Sequence, residues 1–256
     1  MKKVYAFLLI FFSFTIPLFA QEANEAVSIL SKLYCPSGQS PVNDILIEYE
    51  QMDSGGSAST MSLGSKDKIY FKNPAKIRVD SIMVDPGGVN DGKALIIIRD
   101  GLNAWLYLST GQYPVKKKLD EPSPPLNLPF GLTRYPEDLD RKFKIEGREN
   151  IEGVNALKIS ITEPTGVRND VWIDTQRNVP VQLISTKKIK TKDSERLSVK
   201  KVIYKDFGKT KDGRYFPMKL EKYSNNDLVS LVIYKAIVVN TGLEDHLFEP
   251  MEKLLK

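Results

Sequence analysis

The sequence predicts a mainly β protein: one large curved antiparallel sheet forming a closed or half-open barrel, with an N-terminal helix and a proline-rich lid segment. Three observations carry that expectation. From Asn43 onward, apolar and polar residues alternate with period two through most of the 256 residues. Gly, Pro, Asn and Asp interrupt the alternation at short intervals, as hairpin turns require. Only one segment, near the start, has helical spacing. Strands twist relative to their neighbours, so a single sheet of roughly eleven to thirteen strands has to curl.

Residues 1–20 stand apart from the rest and read as a cleaved secretory signal. Lys2 and Lys3 give a positive start, Val4 to Phe12 an apolar core, and Leu18-Phe19-Ala20 a small residue at the cleavage point. The apolar run ends at Ser13, short of the roughly 20 residues that span a bilayer. An uncleaved anchor is the competing reading. The expected location is periplasmic. Cys35 is the only cysteine, so the chain can form no internal disulfide, and its stability has to come from apolar burial and strand ladders.

Ala23 to Leu33 is the helical segment, with Ala26, Ile29, Leu30 and Leu33 on one face and Asn24 as a cap. Ile45, Ile47 and Tyr49 then alternate with Leu46, Glu48 and Glu50. A Gly/Ser turn at 54–59 leads to a return strand around Lys68 to Phe71. After Asn73-Pro74, Ile77, Val79 and Ser81 alternate with Arg78 and Asp80. Ala94 to Ile98 is apolar throughout, as in a strand covered on both faces. Asp100-Gly101 turns the chain into Trp105 and Tyr107.

Glu121 to Pro136 breaks the rhythm with proline, which cannot donate to a ladder. Leu126, Leu128, Phe130 and Leu132 make this segment apolar. It either folds over the mouth of the half-barrel as a lid or plugs one end as permanent core. Alternation resumes with Leu157, Ile159 and Ile161, then Val171 and Ile173, Val181 and Leu183, Val202 and Tyr204, Met218 and Leu220, and Leu231 and Ile233. Turn signals separate these rows at Gly166, Asn178, Asp212-Gly213 and Asn225-Asn226. Trp172 is out of phase with Val171 and Ile173 and belongs to the other face.

The chemistry of catalysis is sparse. His246 is the only histidine and lies in the C-terminal tail, no Gly-x-Ser-x-Gly elbow is present, and one His with one Cys cannot supply a nitrogen-sulfur metal site. A formal net charge of +5, with Lys and Arg interleaved among acids, argues against nucleic acid as a partner. We therefore expect no enzyme activity, cofactor or metal.

Four motifs, in order, resemble those of the LolA/LolB-like outer-membrane lipoprotein-sorting family. They are Tyr70-Phe71-Lys72-Asn73-Pro74-Ala75-Lys76-Ile77-Arg78-Val79, Asp100 to Tyr107, Val171-Trp172-Ile173-Asp174 followed by Pro180, and Asn240 to Phe248. The resemblance implies a single half-barrel domain over 21–256 whose concave side takes acyl chains. Where the family's carrier has an Arg before the turn proline, this chain has Asn73. The function it implies is that of a periplasmic, non-enzymatic carrier or binding protein for lipid or the acyl chains of lipoproteins. Tyr49, Phe71, Val79, Ile97, Trp105 and Tyr107 are the expected cavity residues. The alternative is a periplasmic sensing or interaction module similar to RseB, which binds a membrane-protein partner.

Overall fold

The computed structural model describes residues 22–33, 42–54, 61–72, 76–84, 90–100, 103–110, 113–119, 141–190 and 194–251. The expected signal at 1–20, Cys35, Asn73 and the proline-rich segment with Leu126, Leu128, Phe130 and Leu132 lie outside the described residues.

Among the described residues, one helix, α1 (22–31), precedes thirteen strands. These are β1 (Asp44–Ser54), β2 (Met61–Lys72), β3 (Lys76–Val84), β4 (Asn90–Asp100), β5 (Ala104–Thr110) and β6 (Tyr113–Leu119). There follow β7 (Lys142–Ile151), β8 (Val154–Thr162), β9 (Arg168–Asp174) and β10 (Val179–Lys190). The last are β11 (Glu195–Lys209), β12 (Tyr215–Ser224) and β13 (Asp227–Val239), and a 3-10 helix at Asp245–Phe248 follows them. The sheet order is β6-β5-β4-β3-β2-β1-β13-β12-β11-β10-β9-β8-β7. β6 and β7 are its two free ends, so the sheet is not closed into a barrel, which agrees with the incomplete barrel that the family resemblance implies. No helix among the described residues is long and apolar enough to cross a membrane.

Contacts divide the chain into two compact units, Met1–Ser37 with Arg134–Val199, and Gly38–Thr133 with Lys200–Lys256. The first holds α1, β7 to β10 and the start of β11. Ala26, Leu30 and Leu33 form the buried face of α1 at the predicted spacing, while Ile29 is half-buried. Glu22 in the first turn accepts a hydrogen bond from the backbone N–H of Ile145 at 2.9 Å, which ties the helix to β7. Ile159 sits opposite both Ile145 and Val171, and Leu157 opposite Ile173, so the predicted rows share one face. Ile159, Ile161, Val171 and Ile173 are buried there. Trp172 lies on the opposite face, as expected, and is also buried. Its ring nitrogen donates to Glu149 at 2.8 Å and the Lys158 ammonium stands 4.7 Å over its ring.

The second unit holds β1 to β6, β12, β13 and the greater part of β11. Turn chemistry sets its hairpins. Asn225 and Asn226 both have positive φ (48° and 77°), the two-residue turn whose twist matches paired strands, and Ser224 and Asp227 pair on either side of it. The residues on this unit's two faces define the candidate site.

Candidate functional site

Residues directly opposite one another in an antiparallel pair project to the same face. Ile45, Ile47, Tyr49 and Gln51 of β1 stand opposite Phe71, Ile69, Asp67 and Ser65 of β2. Those four in turn face Ile77, Val79, Ser81 and Met83 of β3. Ile77, Val79 and Ser81 meet Arg99, Ile97 and Leu95 of β4, which meet Ala104, Leu106 and Leu108 of β5. Across β1, Ile47 faces Ile237, Tyr49 faces Tyr234, Gln51 faces Val232 and Asp53 faces Ser230. Val232 and Ser230 face Leu220 and Lys222 of β12, and these face Tyr204 and Val202 of β11. One face therefore runs without interruption from β5 to β11.

That face is graded along its strands. At one end stand Ile45, Ile47, Ile69, Phe71, Ile77, Val79 and Ile237. At the other stand Gln51, Asp53, Ser65, Asp67, Ser81, Lys222 and Ser230. The apolar end is sealed at Ile45, Ile47, Ile77 and Val79, but Ile69, Phe71, Leu95, Ile97, Leu106 and Leu108 are only half-buried.

The polar end is costly, because buried polar groups destabilise a fold unless they are paired. Asp67 is 9% exposed and accepts the Ser65 hydroxyl, and Gln51 donates to Asp53 at 3.0 Å. Gly64 is the unpaired residue of a bulge in β2; a Cβ there would stand 2.6 Å from Asp53 Oδ2, so glycine leaves the space that this carboxylate fills. Tyr49 and Tyr234 meet edge to face at 5.7 Å, and burial pushes both hydroxyl pKa values up. Burial also pushes the Lys222 ammonium down, against the opposing charges of Asp53 and Asp67. Ser230 is 6% exposed, and its hydroxyl has no hydrogen-bond partner among the described residues.

The other face is charged where it lies over β1, β2, β11, β12 and β13. Lys68 pairs with Glu48, Lys235 with Glu50, and Lys205 with Glu221, at 2.8 to 3.1 Å. Over β4 and β5 it turns apolar, with Ile98 and Trp105 paired across those strands, and the C-terminal segment docks from β2 to β5. The 3-10 helix packs on β3 and β4, with Phe248 1% exposed. Lys72 and Lys76 reach Asp245 at 2.7 and 3.0 Å, and Lys72 also donates to the Leu243 carbonyl at 2.7 Å. The Tyr107 hydroxyl accepts the Met251 N–H at 3.1 Å, and Arg78 donates to the Leu247 carbonyl at 3.4 Å. At the start of the segment, buried Asp44 accepts from Thr241 N, Thr241 Oγ1 and Gly242 N at 2.7, 2.9 and 3.0 Å.

This docking has a pH signature. Hydrogen bonds from Lys72 and Lys76 hold the Asp245 carboxyl down at about 2. A depressed carboxylate contributes above its unfolded pKa, near 3.9, and loses that contribution as pH falls toward the folded value. We expect hydrogen-exchange protection of residues 243–249 to hold at pH 5 and to weaken between about pH 4 and 2. Unchanged protection down to pH 2 would show that the lysine–Asp245 contacts do not hold the segment.

The six predicted cavity residues are divided by the register. Tyr49, Phe71, Val79 and Ile97 share the graded face. Trp105 and Tyr107 sit on the other, opposite Ile98 and Ile96, and Tyr107 is engaged by the C-terminal segment. Sequence reasoning missed Asp53, Asp67, Lys222 and Ser230. The available signal was Asp67, a charged residue in phase with Ile69 and Phe71. His246, expected as a surface or capping residue, is exposed and stands 2.8 Å from Glu244. Among the described residues, no cluster of three His, Cys, Asp or Glu side chains is placed to hold a metal ion.

No protein-family model matches the chain, and no curated protein is similar in sequence. Solved structures are similar in fold. A protein of the DUF1329 family from Desulfovibrio piger superposes with a TM-score of 0.62 at 14% identity, covering 90% of this chain and 98% of its own. A putative outer membrane lipoprotein-sorting protein domain from Vibrio parahaemolyticus gives 0.62 at 14% identity, with coverage of 91% and 99%. A LolA superfamily protein from Nitrosomonas europaea gives 0.57 at 15%, with coverage of 89% and 98%. The chain thus has the fold of the LolA-like outer-membrane lipoprotein-sorting proteins, as its four motifs implied.

Proposed function

We propose that the protein is a periplasmic, non-enzymatic binding protein or carrier for lipid or the acyl chains of lipoproteins, and that these lie on the graded face of its second unit. The observation that carries this reading is the row Ile69, Phe71, Leu95, Ile97, Leu106 and Leu108. These large apolar side chains share one face of adjacent strands about 4.8 Å apart, yet remain half-buried. A side chain kept only for stability gains most by full burial, about 1.5 to 3 kcal/mol for residues of this size. Leaving several half-covered side by side suits a face that exchanges an apolar ligand. The lipoprotein-sorting fold supports the same reading.

Lipid extraction of the protein purified from a periplasm, followed by titration with an acyl-chain fluorophore, tests it. We expect extractable lipid and saturable uptake. Changing Phe71 and Ile97 to Ser is expected to weaken uptake by about tenfold or more, since each lost apolar contact is worth on the order of 1 to 2 kcal/mol. Unfolding stability should fall by less than a fully packed core change costs, about 2 to 5 kcal/mol. No extractable lipid together with no fluorophore uptake would overturn the reading.

A further inference from the structure

The half-buried apolar row, which reaches Leu95 opposite Ser81 and Leu108 opposite Leu95, leaves the charged cluster on β1, β2, β12 and β13 without a role. Charge pairs on the opposite face are in direct contact, whereas here half-buried Lys222 and Asp53 and buried Asp67 share a face without one. Lys222, Ser230 and Asp53 lie in one cross-strand row, each directly opposite the next, and Asp67 is on the same face two strands from β13. Among the described residues, the Lys222 ammonium forms no ion pair or hydrogen bond with either carboxylate. The Ser230 hydroxyl between Lys222 and Asp53 is buried and has no partner among the described residues. Gln51 and Ser65 are neutral donors, so they orient Asp53 and Asp67 without neutralising them. Lys222 and the two carboxylates attract one another without direct contact, and a ligand that supplies the close partners gains affinity.

We propose that this polar end is the head-group subsite of a zwitterionic phospholipid carrying a primary ammonium, with its phosphate on Lys222 and Ser230 and its ammonium on Asp53 and Asp67. The inference rests on the acyl-binding reading and narrows it. Charge complementarity selects the occupant. A purely anionic head would satisfy Lys222 and face two carboxylates. A purely cationic head would leave Lys222 and Ser230 unmatched, and a neutral head would leave both signs unmatched. Asp53 and Asp67 lie on β1 and β2, the strands that carry Ile45, Ile47, Ile69 and Phe71, with Ser230 and Lys222 on β13 and β12 beside Asp53, so head and chains lie along one strand direction. The lowered proton affinity of Lys222 fits a group awaiting an anion.

The test measures binding of the delipidated protein to dioctanoyl-phosphatidylethanolamine, dioctanoyl-phosphatidylglycerol and dioctanoylglycerol by calorimetry. The ethanolamine lipid should bind about tenfold or more tighter than the other two, the effect of one well-made charge-assisted contact. Lys222→Met and Ser230→Ala should each remove about tenfold of that affinity and leave dioctanoylglycerol binding unchanged. Ser230→Ala separates function from folding: its hydroxyl has no partner among the described residues, so the melting temperature should stay the same or rise while head-group affinity falls. Equal binding of all three probes, preference for the glycerol lipid, or variants that weaken all three alike would overturn the subsite. If dioctanoylglycerol binds and the ethanolamine lipid binds no better, only the head-group assignment fails. If none of the three binds, the acyl-binding reading fails with it.

Discussion

Replacing Phe248 with Ala is expected to release the C-terminal segment and to cost about 3 to 5 kcal/mol, the range for emptying a packed aromatic site. Phe248 is 1% exposed in a 3-10 helix of four residues, an element too short to be stable by itself. The polar contacts around it are weak holders: Asp245 has 64% of its side chain exposed, and exposed ion pairs contribute little. Apolar burial over β3 and β4 is therefore the main force on the segment. Urea unfolding gives the global loss, and hydrogen exchange at 243–251 shows where it falls. A loss below about 1 kcal/mol with protection retained would mean that the polar contacts hold the segment unaided.

That docking was invisible in the sequence for a physical reason. Asn240 to Phe248 has the residues of a family ending, but four residues of 3-10 helix carry no period. Its partners lie far away along the chain: Lys72 meets Leu243 across 171 positions. Ala94 to Ile98 signalled a strand covered on both faces, but only Ile98, on the face of the segment, is fully buried, and Ala94 to Ile97 are half-buried. What the sequence lacked was the identity of the cover.

Strand existence was legible because alternation is local, and so were the rows of the first unit. Faces were less legible because they depend on register. Ile97 and Trp105 were expected in one cavity, yet Arg99 pairs with Ala104, which places Ile98 opposite Trp105. A bond from Asn103 N to Asp100 Oδ1 at 2.7 Å fixes that turn, and a one-residue slip there would exchange every side chain of β5 between faces. Bulges add the same ambiguity. The pairing of β1 shifts at Glu48/Tyr49 and at Gln51/Met52, and that of β12 at Lys222/Tyr223. Asp53, Ser230 and Lys222 become neighbours only after those shifts. The pairing of β1 with β13 joins distant parts of the chain, and alternation alone cannot specify it.

Asp44→Ala is expected to cost about 2 to 3 kcal/mol, because it removes a buried charged acceptor that takes three hydrogen bonds. The Asp44 carboxylate is 4% exposed and takes three hydrogen bonds, from Thr241 N, Thr241 Oγ1 and Gly242 N, where the chain leaves β13. Asn240 and Gly242 both hold positive φ there, 55° and 75°, so the bend is conformationally expensive and needs an external clamp. Asp44→Asn keeps one acceptor oxygen and should lose less, about 1 to 2 kcal/mol. If the clamp serves mainly to aim the segment at β3 and β4, its effect should couple to that of Phe248. In a double-mutant cycle, Asp44→Ala made in the Phe248→Ala background would then cost at least about 1 kcal/mol less than in the unaltered protein. Strict additivity would instead make the Asp44 clamp a local device of the β1–β13 edge, independent of what the segment covers.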